Sequence, residues 1–479
     1  MTEITKKQYL FSSRKFLLPG MQEILLGEKY LYIDRNLNIV QCKTSDKKEV
    51  YILGNAFCTD KKDKCPEKDV SLYEEKDLSE ATRFWTGRWV IITSNMLLTD
   101  ACSLMSAFYT ENEGNFYISS SIALISNVLN KPIETSFSNI GLTWQLLPRT
   151  IIPDVRALIC TQKMSFEEGR IRISPRMWMQ DRTALPTEEK SKVLSEMLVN
   201  AFYNINKFSG KKIVVALTGG KDSRVTFSAL IKSGVPFSAY TAWHDNISSS
   251  DKNVPPKLCA LFGIGHNYVK KKKISKERFQ DYINFCGMNS KGIDALFFAR
   301  GQFDDFGNDV VIIRSGLYEA GQNYSRKIAG GEMENFEKSI KSYYMNEFSK
   351  NGLQKIAFDE YISYVEENPI SFVDLRDRFY IEQRVCGWVS AIEQSLDIND
   401  FTSIQIANCS ELLSILVSCN EEERNRLALS YDTIRILEPK VLNLDVNRVG
   451  FTDKMIYIKN IIKNPKIKFL NFINKYRGK

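Results

Sequence analysis

Apolar residues follow two periods along this chain, and the period changes part-way. Before about residue 135 the apolar positions fall in short β-branched and aromatic runs between turn residues: Tyr30-Leu31-Tyr32-Ile33, Val50-Tyr51-Ile52-Leu53, Trp89-Val90-Ile91-Ile92 and Phe116-Tyr117-Ile118. Such runs predict short strands. From Glu188 to Phe208 the spacing becomes helical, with Leu194, Met197, Leu198, Ala201, Phe202 and Ile205 on one face. Beyond it, strand-like runs alternate with helix-like ones. Strands are predicted at Ile213–Leu217, Phe237–Thr241, Asn267–Val269 and Asp309–Ile313, with helices at Arg224–Lys232 and Asp251–Phe262 between them. That alternation predicts βαβ units and a parallel sheet, whose ligands sit at the carboxyl ends of the strands. Residues 136–185 read as a connector with one half-exposed strand at Arg170–Ile173, and the domain boundary is expected between Arg182 and Glu188.

The turn after the first of these strands carries the clearest chemistry. Thr218-Gly219-Gly220-Lys221-Asp222-Ser223 joins an apolar strand to a helix. Two glycines let the backbone approach a ligand closely. Thr218 and Ser223 supply hydroxyl donors, and the N–H groups and dipole of the helix start favour an anion. Asp222 inside a phosphate cradle would repel phosphate unless Mg²⁺ lies between them. The spacing is not that of a Walker A loop.

The motif resembles the Ser-Gly-Gly-x-Asp-Ser loop of the ATP pyrophosphatases, the PP-loop enzymes that include asparagine synthetase, with Thr218 in place of the first Ser. The run Gly87-Arg88-Trp89-Val90, Thr99-Asp100, Phe108-Tyr109 and Tyr117-Ile118-Ser119-Ser120 resembles the glutaminase half of the same family. The resemblance implies an α/β protein: an N-terminal αββα Ntn-hydrolase-like domain at 1–182, an adenine nucleotide α-hydrolase-like synthetase domain at 188–453, and a basic tail at 454–479. It implies ATP bound through Leu217, Thr218, Gly219, Gly220, Asp222, Ser223, Thr241, Ser315 and Gly316, with the backbone of Leu217 and Thr241 at adenine. Arg314-Ser315-Gly316-Leu317-Tyr318-Glu319 stands where the family has Ser-Gly-Glu-Gly-x-Asp-Glu. Asp222 and Glu319 are thus the expected Mg²⁺ ligands, and Glu319, Arg384 and Arg448 the expected catalytic groups. The implied reaction is an amide ligation: adenylation of a carboxylate with release of pyrophosphate, then attack by an amine. The substrates would be a small carboxylic acid and an amine, which includes asparagine synthesis from ammonia and ring closure of the β-lactam synthetase kind. The family's N-terminal Cys nucleophile is replaced by Thr2, and its Asn-Gly-Glu glutamine turn by Leu53-Gly54-Asn55-Ala56. The glutaminase half is therefore expected to be inactive. The shortened turn at 315–321 leaves open a non-catalytic nucleotide- or partner-binding relative, and the loop alone also occurs in tRNA-modifying enzymes. Phe401–Gln405 and Glu411–Leu413 loosely follow the family's all-helical C-terminal region, and Tyr380–Trp388 reads as a helix.

Composition narrows this little. The chain has 479 residues, 43% hydrophobic and 25% charged, as in ordinary globular proteins. Two histidines make zinc chemistry an unpromising reading, and ten scattered cysteines without a secretion signal read as reduced residues of a cytoplasmic protein. The net charge of +8 is matched by the eight Lys and Arg between Lys454 and Lys479, where there is no Asp or Glu. The body is then near neutral, which argues against nucleic acid as the partner. The tail interleaves its charges with Ile458, Ile461, Ile462, Phe469 and Leu470, a pattern open to peripheral contact with an anionic membrane.

Overall fold

The computed structural model describes residues 4–132, 145–167, 169–244, 247–270, 272, 274–286, 303, 306–322 and 352–446. Thr2, Arg448 and the tail from 454 lie outside them.

The N-terminal part contains β1 (Tyr9–Ser12), β2 (Met21–Leu26), β3 (Lys29–Asp34), β4 (Ile39–Lys43), β5 (Glu49–Cys58), α1 (Pro66–Val70), α2 (Leu78–Ala81), β6 (Trp85–Ile92), β7 (Met96–Thr99), β8 (Phe108–Asn112), β9 (Asn115–Ser119), α3 (Ile122–Leu129), β10 (Arg156–Ala157), β11 (Gln162–Glu167) and β12 (Arg170–Pro175). Two six-stranded antiparallel sheets form, ordered β10-β8-β9-β1-β3-β2 and β12-β11-β7-β6-β5-β4. Their strands alternate, so one face of each sheet supplies a shared core: Tyr9, Phe11, Ile33 and Phe116 from the first, Leu53, Val90, Ile92 and Phe166 from the second. The outer face of the second sheet packs Ile52, Trp85 and Trp89 against Val70 of α1 and Leu78 of α2. The outer face of the first packs Leu10 and Tyr32 against Leu124 of α3. The layers are therefore helix, sheet, sheet, helix, as expected. The stretch expected to be a mere connector is integral to both sheets: β10 pairs with β8, and β11 lies between β7 and β12. Those strands are short and their outward positions carry Lys, Arg and Glu, so no strong alternation marked most of them.

The second part begins with α4 (Thr187–Ser209) and continues through β13 (Lys212–Ala216), α5 (Lys221–Ser233), β14 (Phe237–Trp243), α6 (Ser249–Leu261), β15 (His266–Lys270), α7 (Lys276–Cys286), β16 (Val310–Arg314), α8 (Gly352–Glu367), α9 (Leu375–Phe379), a π-helical segment at Tyr380–Val389, α10 (Ser390–Leu396), β17 (Thr402–Gln405), α11 (Ser410–Val417), α12 (Glu421–Arg426) and α13 (Ala428–Leu437). The sheet is parallel, ordered β15-β14-β13-β16-β17. One face packs on α4, α5 and α13, through Leu198, Phe202, Val225 and Ile434. The other packs on α7 and α10, through Tyr282, Phe285, Ile392 and Leu396. Strand order reverses at β13, flanked by β14 and β16, which is the position where such sheets open a crevice. One expectation fails here. Residues 402–405, read with the helical region, form β17 and pair in parallel with β16 from Val311 to Arg314. Four residues are too few to show a period, and the partner strand decided the conformation.

All ten cysteines are free thiols, nine of them buried. Among the described residues no helix is long and apolar enough to cross a membrane.

Candidate functional site at the switch point of the parallel sheet

The loop after β13 sits at the carboxyl end of the sheet, at the reversal. Gly220 is the N-cap of α5, in an extended conformation with φ −78° and ψ 165°. The loop is braced by its own hydroxyls. Ser223 Oγ accepts from the Thr218 N–H at 3.1 Å and lies 2.9 Å from Thr218 Oγ1, while the Gly220 N–H donates to Thr218 Oγ1 at 3.2 Å. Thr218 is exposed at the mouth and Ser223 buried beneath it. The Gly219 N–H donates to the Asp251 carboxylate at 2.7 Å. Asp251 belongs to the first turn of α6, whose N-cap Ser248 accepts from the Asp251 N–H. Gly219 is required by packing: a Cβ there would lie 2.0 Å from Ser250 Oγ and 2.9 Å from the Ser250 carbonyl carbon.

The loop is also tied from below. Arg224, fully buried in α5, donates from Nη2 to the Gly219 carbonyl at 3.2 Å and to the Asp445 carbonyl at 2.7 Å, and from Nη1 to the Val441 and Leu444 carbonyls. A charge-delocalised fork with five donors suits such a multi-carbonyl cradle. It joins residues more than 200 positions apart in sequence.

Across the crevice, β16 ends at Arg314 and a 3₁₀ turn follows at Gly316–Gly321. Ser315 Oγ donates to Thr226 Oγ1 at 2.8 Å. The Gly316 N–H donates to Gln405 Oε1 at 3.0 Å, and Gln405 Nε2 donates to Glu393 Oε1 at 2.8 Å. Glu319 accepts from the Tyr380 hydroxyl at 3.0 Å. Tyr380 begins the π-helical segment, a form that recurs at functional sites. Burial and the neighbouring Glu319 carboxylate push its hydroxyl well above the ordinary phenol range, and the Arg384 guanidinium opposes them. Arg384 itself stacks over the Trp388 ring, 4.5 Å from its centroid.

Asp222 and Glu319 face one another closely enough to interact. Asp222 is pushed up to about 6, chiefly by burial and then, among the raising influences, by Glu319; Lys221 and the Gln322 amide counter this. Gln322 Nε2 donates to Asp222 Oδ1 at 2.8 Å, and Lys221 Nζ lies 3.9 Å from the same oxygen. A partly buried carboxylate held uncomfortably near a second one is a fitting place for a cation. Among the described residues no group of three or more His, Cys, Asp or Glu is placed to hold a metal ion, so further ligands would come from a bound phosphate and water.

The expected adenine contacts are placed together at the next strand. The Leu217 N–H donates to the Tyr240 carbonyl at 2.8 Å, and the Leu217 carbonyl accepts from Thr241 Oγ1 at 2.8 Å. Thr241 Oγ1 also lies 2.9 Å from His266 Nε2. The structure thus places Thr218–Ser223 after β13 and Ser315, Gly316 and Glu319 after the adjacent β16, with Leu217 and Thr241 bonded together on the β14 side and Arg384 near Tyr380. Sequence reasoning missed Asp251, Gln322, Tyr380, Gln405 and Arg224. Only Asp251 had a local signal, the Ser248-Ser249-Ser250-Asp251 run that opens α6.

In the N-terminal half, Asp100 is buried and structural. Its carboxylate accepts from the N–H groups of Leu104 and Met105 at 2.8 Å each and from Asn408 Nδ2 at 2.8 Å. Gly54, in the altered glutamine turn, has φ +93°, and a Cβ there would lie 2.4 Å from the Arg88 carbonyl oxygen.

No family model and no curated protein matches this chain. Among solved structures, a glutamine-dependent NAD+ synthetase from Acinetobacter baumannii, solved with ADP, is 16% identical over 35% of this chain, with a TM-score of 0.22. This chain covers only 31% of that protein's length. An NMN synthetase from Francisella tularensis is 15% identical over 42% of this chain and 94% of its own, with a TM-score of 0.22. A glutamine phosphoribosylpyrophosphate amidotransferase from B. subtilis, solved with ADP and GMP, is 8% identical over 70% of this chain and 74% of its own, with a TM-score of 0.21. Likeness at this level identifies neither a family nor an activity for this chain. Its mixed α/β class, with two antiparallel sheets and one parallel five-stranded sheet, stands on its own strands.

Proposed function

We propose that this chain is an ATP-dependent ligase of the PP-loop type, similar to asparagine synthetase, with the synthetase unit at 188–453 and a glutaminase-like unit at 1–182 that lacks activity. The observation that supports it best is the placement of Thr218–Ser223. The loop lies at the switch point of a parallel sheet and opens onto a helix N-terminus, with Asp222 and Glu319 on either side of the crevice. In this reading the loop's hydroxyls and N–H groups hold the polyphosphate. Ser315 and Gly316 line the opposite wall. Asp222 and Glu319 would hold Mg²⁺, whose chemistry there is neutralisation of phosphate charge. Arg384 and Arg448 would steady the developing charge on pyrophosphate or hold the substrate acid. Glu319, fixed by Tyr380, would orient the second substrate. The work of these groups is positioning and electrostatic, since phosphoryl displacement needs little covalent help from the protein. The substrates would be a small carboxylic acid and an amine, in a cytoplasmic setting, with peripheral membrane contact made by the 454–479 tail.

A second reading has one observation in its favour. The Gly219 N–H, which a phosphate would need, is held by the Asp251 carboxylate. In that reading the chain is a non-catalytic relative whose loop is permanently closed. ATP–pyrophosphate exchange over a panel of carboxylic acids separates the two. Exchange with release of AMP supports the ligase. ADP as product, or no exchange with any acid despite nucleotide binding, defeats it.

A further inference from the structure

A second polar cavity lies at the opposite end of the parallel sheet from the phosphate loop. Its volume is about 330 Å³, room for roughly ten waters at about 30 Å³ each. It is walled by the β3–β4 turn and β5 of the sandwich and by the segment leading into β17. Lys211, which precedes β13, projects from the third side. Four cations line it: Lys7, Arg35, Arg88 and Lys211. Two acids line it as well, and both are already committed. Asp397 is paired with Arg88 at 2.6 Å, and Asp400 with Lys6 at 2.6 Å. Among the described residues, Lys7, Arg35 and Lys211 have no carboxylate partner within ion-pair distance.

The donors are incompletely used. Lys7 Nζ donates to the Asn399 and Phe401 carbonyls at 2.7 Å each, two bonds from an ammonium that has three. Lys211 Nζ makes one, to Thr402 Oγ1 at 3.0 Å. Arg88 is 8% exposed. Its Nε and Nη1 are bonded to Leu104, Glu393 and Asp397, but its buried Nη2 has no partner. That nitrogen is closed off from the cavity, so the accessible donors are those of Lys7, Arg35 and Lys211. Lys7, Arg35 and Lys211 thus place three cations without a direct carboxylate partner around one void, a focused positive potential that favours an anion.

We propose that this cavity binds a small dianionic oxyanion, a dicarboxylate or a phosphoryl compound, through Lys7, Arg35 and Lys211, with Arg88 and its partner Asp397 forming the floor. The site is independent of the phosphate loop and of the ligase reading. Burial, aided by the like charges of Lys6, Lys211 and Arg88, lowers Lys7 to about 8, against the opposing pull of Asp397. A bound anion would reverse that, and affinity should fall as pH rises through this range.

The experiment is calorimetric titration of the full chain with succinate, with inorganic phosphate and with neutral succinamide, at matched ionic strength. The variants are Lys7→Met and the double Arg35→Gln, Lys211→Met, the latter at solvent-facing positions that leave the fold's core untouched. The expected result is binding of at least one dianion, none of succinamide, and a loss of tenfold or more in both variants. Tighter succinate than phosphate assigns a dicarboxylate, and the reverse a phosphoryl group. Failure of both dianions to bind overturns the proposal. So does binding that survives the double variant, because phosphate would then be sitting in the loop after β13.

Discussion

Gly219→Ala tests whether the loop is pressed against α6 as described. The new Cβ would lie 2.0 Å from Ser250 Oγ, 2.8 Å from Ser250 Cβ and 2.9 Å from the Ser250 carbonyl carbon. A hydroxyl can rotate away, but the main-chain carbon cannot, so the start of α6 must retreat. Overpacking of that kind costs about 1–3 kcal/mol. The retreat also lengthens the 2.7 Å bond from the Gly219 N–H to Asp251, and a hydrogen bond to a charged group contributes about 1.5–3 kcal/mol. The two losses overlap, giving a local cost of about 3 kcal/mol. Because the chain is large and its parts need not unfold together, the readout should be local. Amide hydrogen exchange in peptides covering 216–224 and 248–254 should accelerate by about 100-fold, a factor that corresponds to roughly 3 kcal/mol. Adding Ser250→Gly removes the Oγ and Cβ contacts and should recover at least tenfold of the lost protection. Unchanged exchange in Gly219→Ala, or no recovery in the double variant, would refute the packing argument.

The other expectations concern charge. Asp251→Asn keeps the shape but removes a negative charge from the phosphate cradle, and should tighten ATP binding about tenfold, a fraction of the ~4 kcal/mol that two unit charges 4 Å apart exchange at an effective dielectric constant of 20; weaker binding in a fluorescent-nucleotide titration would mean that Asp251 instead shapes the loop. Asp222 binds its proton more tightly folded than unfolded, with a value of about 6 against an ordinary 3.8, so its contribution to stability is complete below the unfolded value and is lost as pH rises through 6. Asp222→Asn should therefore raise stability by about 3 kcal/mol at pH 7 and make almost no difference at pH 3.5, while abolishing pyrophosphate exchange; equal melting profiles for the two proteins at pH 7 would contradict the assignment. Arg224→Met leaves four carbonyls without their buried donor, at a cost of about 1–3 kcal/mol for each that stays unsatisfied, with exchange rising around Gly219 as well as at 441–445; a change confined to one of these segments would show that Arg224 does not couple them.

The strand, the glycine turn and the helix of 213–232 were legible because each has a local cause: a β-branched run, a close-approach sequence and a 3.6-residue period. The alternation beyond it was enough to call a parallel sheet, since parallel strands buried on both faces read as continuous apolar runs. The half-exposed alternation at Arg170–Ile173 marked β12, but β10, β11 and β17 were not legible, since they take their conformation from partners distant in sequence. The same limit applies to the crevice. Thr218, Asp222 and Ser223 belong to one turn and could be picked out together. Asp251 meets Gly219 across 32 residues, Gln322 meets Asp222 across 100, and Arg224 reaches Asp445 across 221. No spacing in the chain encodes those meetings. They follow from a strand order that reverses at β13, which brings the ends of β13, β14 and β16 to one crevice and leaves Lys211 and Asn308 at the other end of the sheet, beside the sandwich. The sequence determined that a glycine turn carrying Thr218, Asp222 and Ser223 would join a strand to a helix; the tertiary structure alone decided which carboxylates, amides and cations surround it, because those contacts exist only once the sheet has closed.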